Sequence, residues 1–177
     1  MMYKISTFLI GFLLILSSCS DSIDSPPSND DNVFVGTTFE TEGRFTPENG
    51  YSFVFDFAEN GFRPFESDAV LAYRLENHSN GEDIWSPLPR TTFLDGGRIL
   101  IYNYVFNSSY DGDLDDIFDV TFFLEGNFNI AELAPSRTEV FKIVVVPSDF
   151  LNTNAIDINN INTVLQSKAI QFEDYNL

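Results

Sequence analysis

Residues 37–57, TTFETEGRFTPENGYSFVFDF, alternate apolar and polar side chains twice, once on each side of Pro47-Glu48-Asn49-Gly50. In the first half Phe39, Thr41, Gly43 and Phe45 share one face, while Glu40, Glu42 and Arg44 share the other. In the second half Tyr51, Phe53, Phe55 and Phe57 oppose Ser52, Val54 and Asp56. A period of two places successive side chains on opposite faces of a strand; a helix would scatter these aromatics around its axis. Pro, Asn and Gly supply the backbone geometry of a turn, so the expectation is two half-buried strands joined as a hairpin.

The same signal recurs outward from this stretch. Residues 69–76 (AVLAYRLE) and 99–106 (ILIYNYVF) are β-prone and apolar on both faces, as central strands are. Between them, the two prolines of Ile84-Trp85-Ser86-Pro87-Leu88-Pro89 favour an extended edge or crossover segment over a central strand. Asp95-Gly96-Gly97-Arg98 is a tight turn between Phe93-Leu94 and Ile99-Leu100. Further strands are expected at 117–125 (IFDVTFFLE), 139–146 (EVFKIVVV) and, briefly, 169–173. Helix is scarce: one turn over Ile130 to Ala134, and a short helix holding Ile158, Ile161, Val164 and Leu165, with Asp157 as its N-cap. The fold class is all-β: a single antiparallel β-sandwich or barrel-like domain of about eight strands over residues 33–177, with one or two short helices near the C-terminus.

Nineteen phenylalanines, seven tyrosines and one tryptophan supply the core, and their alternate spacing makes most of them interior. The chain has a single cysteine, so no internal disulfide staples it and stability must come from packing. The formal charge of −18 argues against nucleic acid as a partner and favours cations or basic surfaces. Gly-rich phosphate loops and basic patches are absent from the sequence, which removes nucleotide chemistry from consideration.

The N-terminus has a different character. Lys4 precedes a largely apolar run from Ile5 to Leu16, too short against the roughly 20 residues needed to span a bilayer. It ends in Leu16-Ser17-Ser18-Cys19, which resembles the bacterial lipobox. That resemblance implies a lipoprotein signal peptide over 1–18 and acylation, palmitate-like, at Cys19. Each acyl chain contributes about 0.8 kcal/mol per buried methylene, and two or more chains anchor stably. Residues 19–32 continue as an acidic, Pro26-Pro27-containing stretch that cannot bury enough apolar area to offset its ordering entropy, which is the composition of a flexible tether. Acidic residues directly after the cysteine resemble the export signal of Bacteroidota lipoproteins, implying a lipid-anchored, surface-exposed place on the outer membrane.

A second resemblance covers the body. Gly36-Thr37-Thr38-Phe39-Glu40, Phe45-Thr46-Pro47-Glu48-Asn49, Val70-Leu71-Ala72-Tyr73-Arg74-Leu75-Glu76, Asp83-Ile84-Trp85, Pro87-Leu88-Pro89, Phe122-Phe123-Leu124-Glu125-Gly126-Asn127 and Phe141-Lys142-Ile143-Val144-Val145-Val146-Pro147 occur in this order. Together they resemble a group of small flavobacterial outer-membrane lipoproteins with a β-rich domain. The resemblance implies a fold and an address, and it implies no activity.

Candidate chemistry is sparse. Asp111, Asp113, Asp115 and Asp119 form the densest set of hard oxygen donors, a calcium candidate. The sixth position of that loop is Asp116 where an EF-hand has glycine, and the twelfth is Phe122 where it has glutamate. His78 is the only histidine, which excludes a zinc site needing two imidazoles, and it falls in the hydrophilic loop Asn77 to Glu82. Trp85 is a candidate for stacking on a ligand such as a sugar ring, against the alternative of an anchor beneath an edge segment. A glycosidase-like carboxylate pair would draw on acids such as Asp56, Glu66, Asp68 and Glu76. The expected function is therefore a non-enzymatic binding or assembly module of the cell envelope, with an envelope protein or glycan as partner and no cofactor unless calcium. The alternative is an envelope hydrolase using paired carboxylates.

Overall fold

Nine strands, two short helices and two 3-10 turns make up the residues described by the computed structural model, 33–109, 117–132 and 138–175. The expectations for the signal peptide, Cys19 and the tether lie outside the described residues. The strands are β1 (Phe34–Gly43), β2 (Ser52–Asp56), β3 (Asp68–Ser79), β4 (Glu82–Pro87), β5 (Arg90–Phe93), β6 (Ile99–Ser109), β7 (Ile117–Gly126), β8 (Glu139–Pro147) and β9 (Ile170–Tyr175). They form a five-stranded sheet in the order β4-β3-β8-β1-β9 and a four-stranded sheet in the order β2-β7-β6-β5. The all-β sandwich is as expected, and the two runs read as apolar on both faces, β3 and β6, are both interior strands of their sheets.

The stretch 37–57 corrects one expectation. Its two strands do form, with the predicted faces, but they do not pair: β1 bonds to β8 and β9, and β2 bonds to β7 in the other sheet. The turn is a corner between sheets. Phe39 meets Phe55 and Phe57 across the sandwich, with ring centroids 5.3 and 5.5 Å apart, so the two aromatic faces look at each other where a hairpin would lay them side by side. Tyr51 at φ 58° turns the chain into β2, and Asn49 bridges the corner by accepting from Thr46 N and donating to the Arg44 carbonyl. At the end of β1, Gly43 leaves the space that the Phe53 ring fills; a Cβ there would sit 2.2 Å from that ring.

The sandwich is also not wholly antiparallel. The strand expected near 169–173 is β9, which runs parallel to β1. The link that leads to it joins β8 to β9, which run antiparallel to each other on either side of β1. It is made by α1 (Ser148–Thr153) and α2 (Ile161–Leu165), which lay Phe150, Ile161 and Val164 against Tyr73, Val144 and Val146 on the outer face of the five-stranded sheet. That sheet is thus covered on both faces, which explains the unbroken apolar run Ile143 to Val146. Asn160, not Asp157, caps α2, accepting from Asn162 N; Asp157 instead holds the preceding turn through Asn159 N, and Ile158 faces solvent.

Two further differences concern loops. The segment Asn77 to Glu82 is the end of a β3–β4 hairpin closed by Asn80-Gly81, both at positive φ, as a two-residue loop demands. The proline-flanked segment 84–89 is both alternatives at once: β4 is an edge strand, and Pro87-Leu88-Pro89 then carries the chain to β5 in the other sheet, with Leu88 N bonded to the Ala72 carbonyl. The Asp95–Gly97 turn joins β5 to β6 as expected, with Gly96 and Gly97 at positive φ. No helix among the described residues is long and apolar enough to cross a membrane.

Candidate functional site

The two ends of β3 hold the chemistry that the interior of the sandwich lacks. At its C-terminal end, Arg74 and Glu76 continue the inward parity of Val70 and Ala72, so a guanidinium and a carboxylate point between the sheets. The adjacent β8 begins with Glu139, on the parity of Phe141 and Ile143. Arg74 and Glu139 are 7% and 3% exposed. Arg74 Nε and Nη2 donate to Glu139 Oε2 at 3.1 and 2.9 Å, and Nη1 donates to Glu76 Oε2 at 2.8 Å. Arg90, entering β5 in the opposite sheet, brings its Nε to 3.6 Å from Glu76 Oε1. The Arg74 guanidinium lies 4.2 Å from the centre of the Tyr102 ring. Burial works against its charge, but Tyr102, Glu139 and Glu76 outweigh it and hold the pKa above the ordinary guanidinium value. This cluster ties the two sheets together, and within it Glu76 Oε1 is buried without a hydrogen bond, its nearest charge being Arg90.

At the N-terminal end of β3 the sandwich opens. Phe57 and Pro64 are buried beneath a loop whose tip, Phe65, is 76% exposed. A groove of about 430 Å³ runs along one side of this tip, between Arg63, Phe65, Glu66 and Phe118. A cleft of about 210 Å³ lies on the other side, against the inner face of the five-stranded sheet. Arg63 and Phe65 line both, and the Arg63 guanidinium sits 5.3 Å from the Phe118 ring centre. Asp68 Oδ2 accepts from Phe65 N at 2.8 Å and so fixes the loop tip to the start of β3. Burial raises the Asp68 pKa, with the Phe65 bond as a smaller opposing influence.

The sequence-derived candidates are dispersed. Asp111, Asp113 and Asp115 lie outside the described residues. Asp119 is on β7, where its Oδ1 accepts from Asn107 Nδ2 at 2.6 Å and from Thr121 Oγ1 at 3.2 Å. Among the described residues there is no grouping of three or more His, Cys, Asp or Glu side chains suited to a metal. Trp85 is half-buried on β4 beside the helix-covered face, with Lys142 Nζ 4.7 Å above its ring and Lys142 in turn paired to Glu40 at 2.8 Å. The Trp85 ring packs against the apolar cluster under the helices. His78 Nδ1 lies 2.7 Å from Asp83 Oδ1 across the β3–β4 hairpin, in the open.

The four acids weighed as a hydrolytic pair have separate surroundings. Asp56 caps the turn after β2 through Ala58 N and Glu59 N, Asp68 holds Phe65, Glu76 belongs to the Arg74 cluster, and Glu66 is exposed. Neither the Arg74–Glu139 pair nor the Phe65 cleft was singled out from sequence. The signal for the first is present, since opposite charges occupy apolar-parity positions of two strands. The second has only Gly61-Phe62-Arg63-Pro64-Phe65, two aromatics around a proline in a segment without alternation. No family model matches the chain, and neither the curated proteins nor the solved structures contain a match to it.

Proposed function

We propose that this chain is a lipid-anchored cell-envelope protein, held by acylated Cys19 on the outer membrane, whose sandwich domain works by binding a ligand or partner and not by catalysis. The observation that carries the address is Leu16-Ser17-Ser18-Cys19 behind an apolar run too short to span a bilayer. The resemblance to flavobacterial outer-membrane lipoproteins supports the same address. The binding reading is supported by the exposed Phe65 between two cavities, and by the carboxylates Asp56 and Glu76, each engaged in bonds that hold the fold. Calcium at Asp111, Asp113 and Asp115 stays within this proposal as an accessory of the β6–β7 loop.

Fractionation tests the address. In a Gram-negative host the wild-type chain should sediment with outer membranes, and Cys19→Ala should move to the soluble fraction. A Cys19→Ala variant that still sediments with membranes would contradict the proposal.

A further inference from the structure

The smaller cleft beside Phe65 has the ingredients of a ligand site. Val145 and Pro147 at the end of β8, with Val35 on β1, form one apolar wall, and Phe62 and Phe65 form the other. Its volume of about 210 Å³ is that of roughly seven waters at about 30 Å³ each, room for a short aliphatic body. Asp68 and Glu173 place two carboxylates at this wall, from the beginning of β3 and from β9. The described surroundings give the Asp68 carboxylate one hydrogen bond, from Phe65 N, and no basic side chain in ion-pair contact. Arg63 also lines the cleft, with its guanidinium placed against the Phe118 ring.

We propose that this cleft binds a small organic cation: a primary ammonium on a short aliphatic body, its charge on Asp68 and its chain between Val145 and the Phe62 and Phe65 rings. A carboxylate partly removed from water is stabilised by an opposite charge, and an ammonium group brings one without displacing the Phe65 bond. The ring faces attract a cation as well as apolar carbon. Against the one lining cation, Arg63, whose guanidinium lies by the Phe118 ring, an anion of the same size would meet Asp68, Glu173 and the field of a chain carrying −18, so sign favours a cation. The raised pKa of Asp68 fits a carboxylate awaiting a counter-charge.

This inference rests on reading the chain as a binding module and is independent of its membrane address. The probe is n-butylammonium chloride, titrated into the full-length protein in non-ionic detergent and followed by thermal melting. A saturable rise of about 3–5 °C at tenfold excess over Kd is expected. Ammonium chloride, n-butanol and sodium butyrate at the same concentrations should produce no saturable rise. Asp68→Asn keeps an oxygen acceptor for Phe65 N and should weaken butylammonium at least tenfold, while Glu66→Gln, in the neighbouring groove, should leave it unchanged. Should Asp68→Asn not fold, wild-type affinity must still fall as the pH is lowered through the raised carboxylate range of Asp68. A butylammonium effect no larger than that of butanol or ammonium, an unaltered affinity in Asp68→Asn, or a pH-independent affinity would each overturn the proposal. None of these outcomes would alter the fractionation of Cys19→Ala, so the two ideas fail separately.

Discussion

Phe122→Ala is expected to destabilise the protein by about 3–5 kcal/mol, the range for deleting a fully buried phenylalanine. The Phe122 ring lies 4.5 Å from that of Phe141 and stacks at 5.0 Å on Phe53, so it joins β7 and β2 of one sheet to β8 of the other. Removing it opens a void bordered by the Phe53 and Phe141 rings, fixed on two other strands, which collapse poorly. Phe123, the next residue, points to the outer face of the four-stranded sheet and is only half-buried. Its replacement by alanine should cost less than half as much. Urea denaturation of both variants measures the difference. Equal losses would mean that the inward parity of β7 is misassigned, and with it the register Phe53↔Phe122.

The second large effect is expected at the charge cluster. Arg74→Ala should cost about 3–5 kcal/mol, because it removes the guanidinium bonded to Glu139, 3% exposed, and to Glu76, breaking a buried ion cluster. Much of that loss is the cost of leaving buried carboxylates with less opposite charge around them and not the worth of the pair itself. The double variant Arg74→Met, Glu139→Leu should therefore be more stable than Arg74→Ala, with Glu76 left to its contact with Arg90. A double-mutant cycle by denaturant unfolding reads this directly. A loss below about 1 kcal/mol for Arg74→Ala would show that the cluster is hydrated and does not tie the sheets.

What the sequence made legible was the face of each strand; what it left open was the partner. Period-two alternation in 37–57 correctly put Phe39, Phe55 and Phe57 inside, yet it is silent on whether two such strands pair edge to edge or face each other across a core. Both arrangements bury the same side chains. The parallel placement of β9 was hidden for a related reason: the short helix holding Ile161, Val164 and Leu165 was legible from its spacing, but nothing in that spacing says on which side of β1 the following strand is laid. Asn80-Gly81 was legible as a two-residue hairpin loop, but the surrounding polar residues masked it, because β3 and β4 are exposed where they reach the tip.

The candidate sites show the same division. Asp56, Asp68 and Glu76 looked alike as acids in the sequence and differ entirely in the fold. One caps a turn, one holds a loop tip at the mouth of a cleft, and one belongs to an inter-sheet ion cluster. The cleft itself is assembled from β1, the Phe57–Asp68 loop, β8 and β9, whose residues span Val35 to Glu173 in the chain. No local pattern could announce it. Trp85 stands apart from these: its edge position beside prolines was legible, while the Lys142 ammonium over its ring, supplied from β8, was not.

The central claim is that Cys19 carries lipid and is the first residue of the mature protein. Mass spectrometry of the N-terminal peptide, from protein purified out of the outer-membrane fraction, tests it most directly. The account predicts a peptide beginning at Cys19 whose mass exceeds that of the unmodified sequence by a diacylglyceryl group, with or without a further acyl chain. A mature chain that retains residues 1–18, begins elsewhere, or presents an unmodified Cys19 would contradict it.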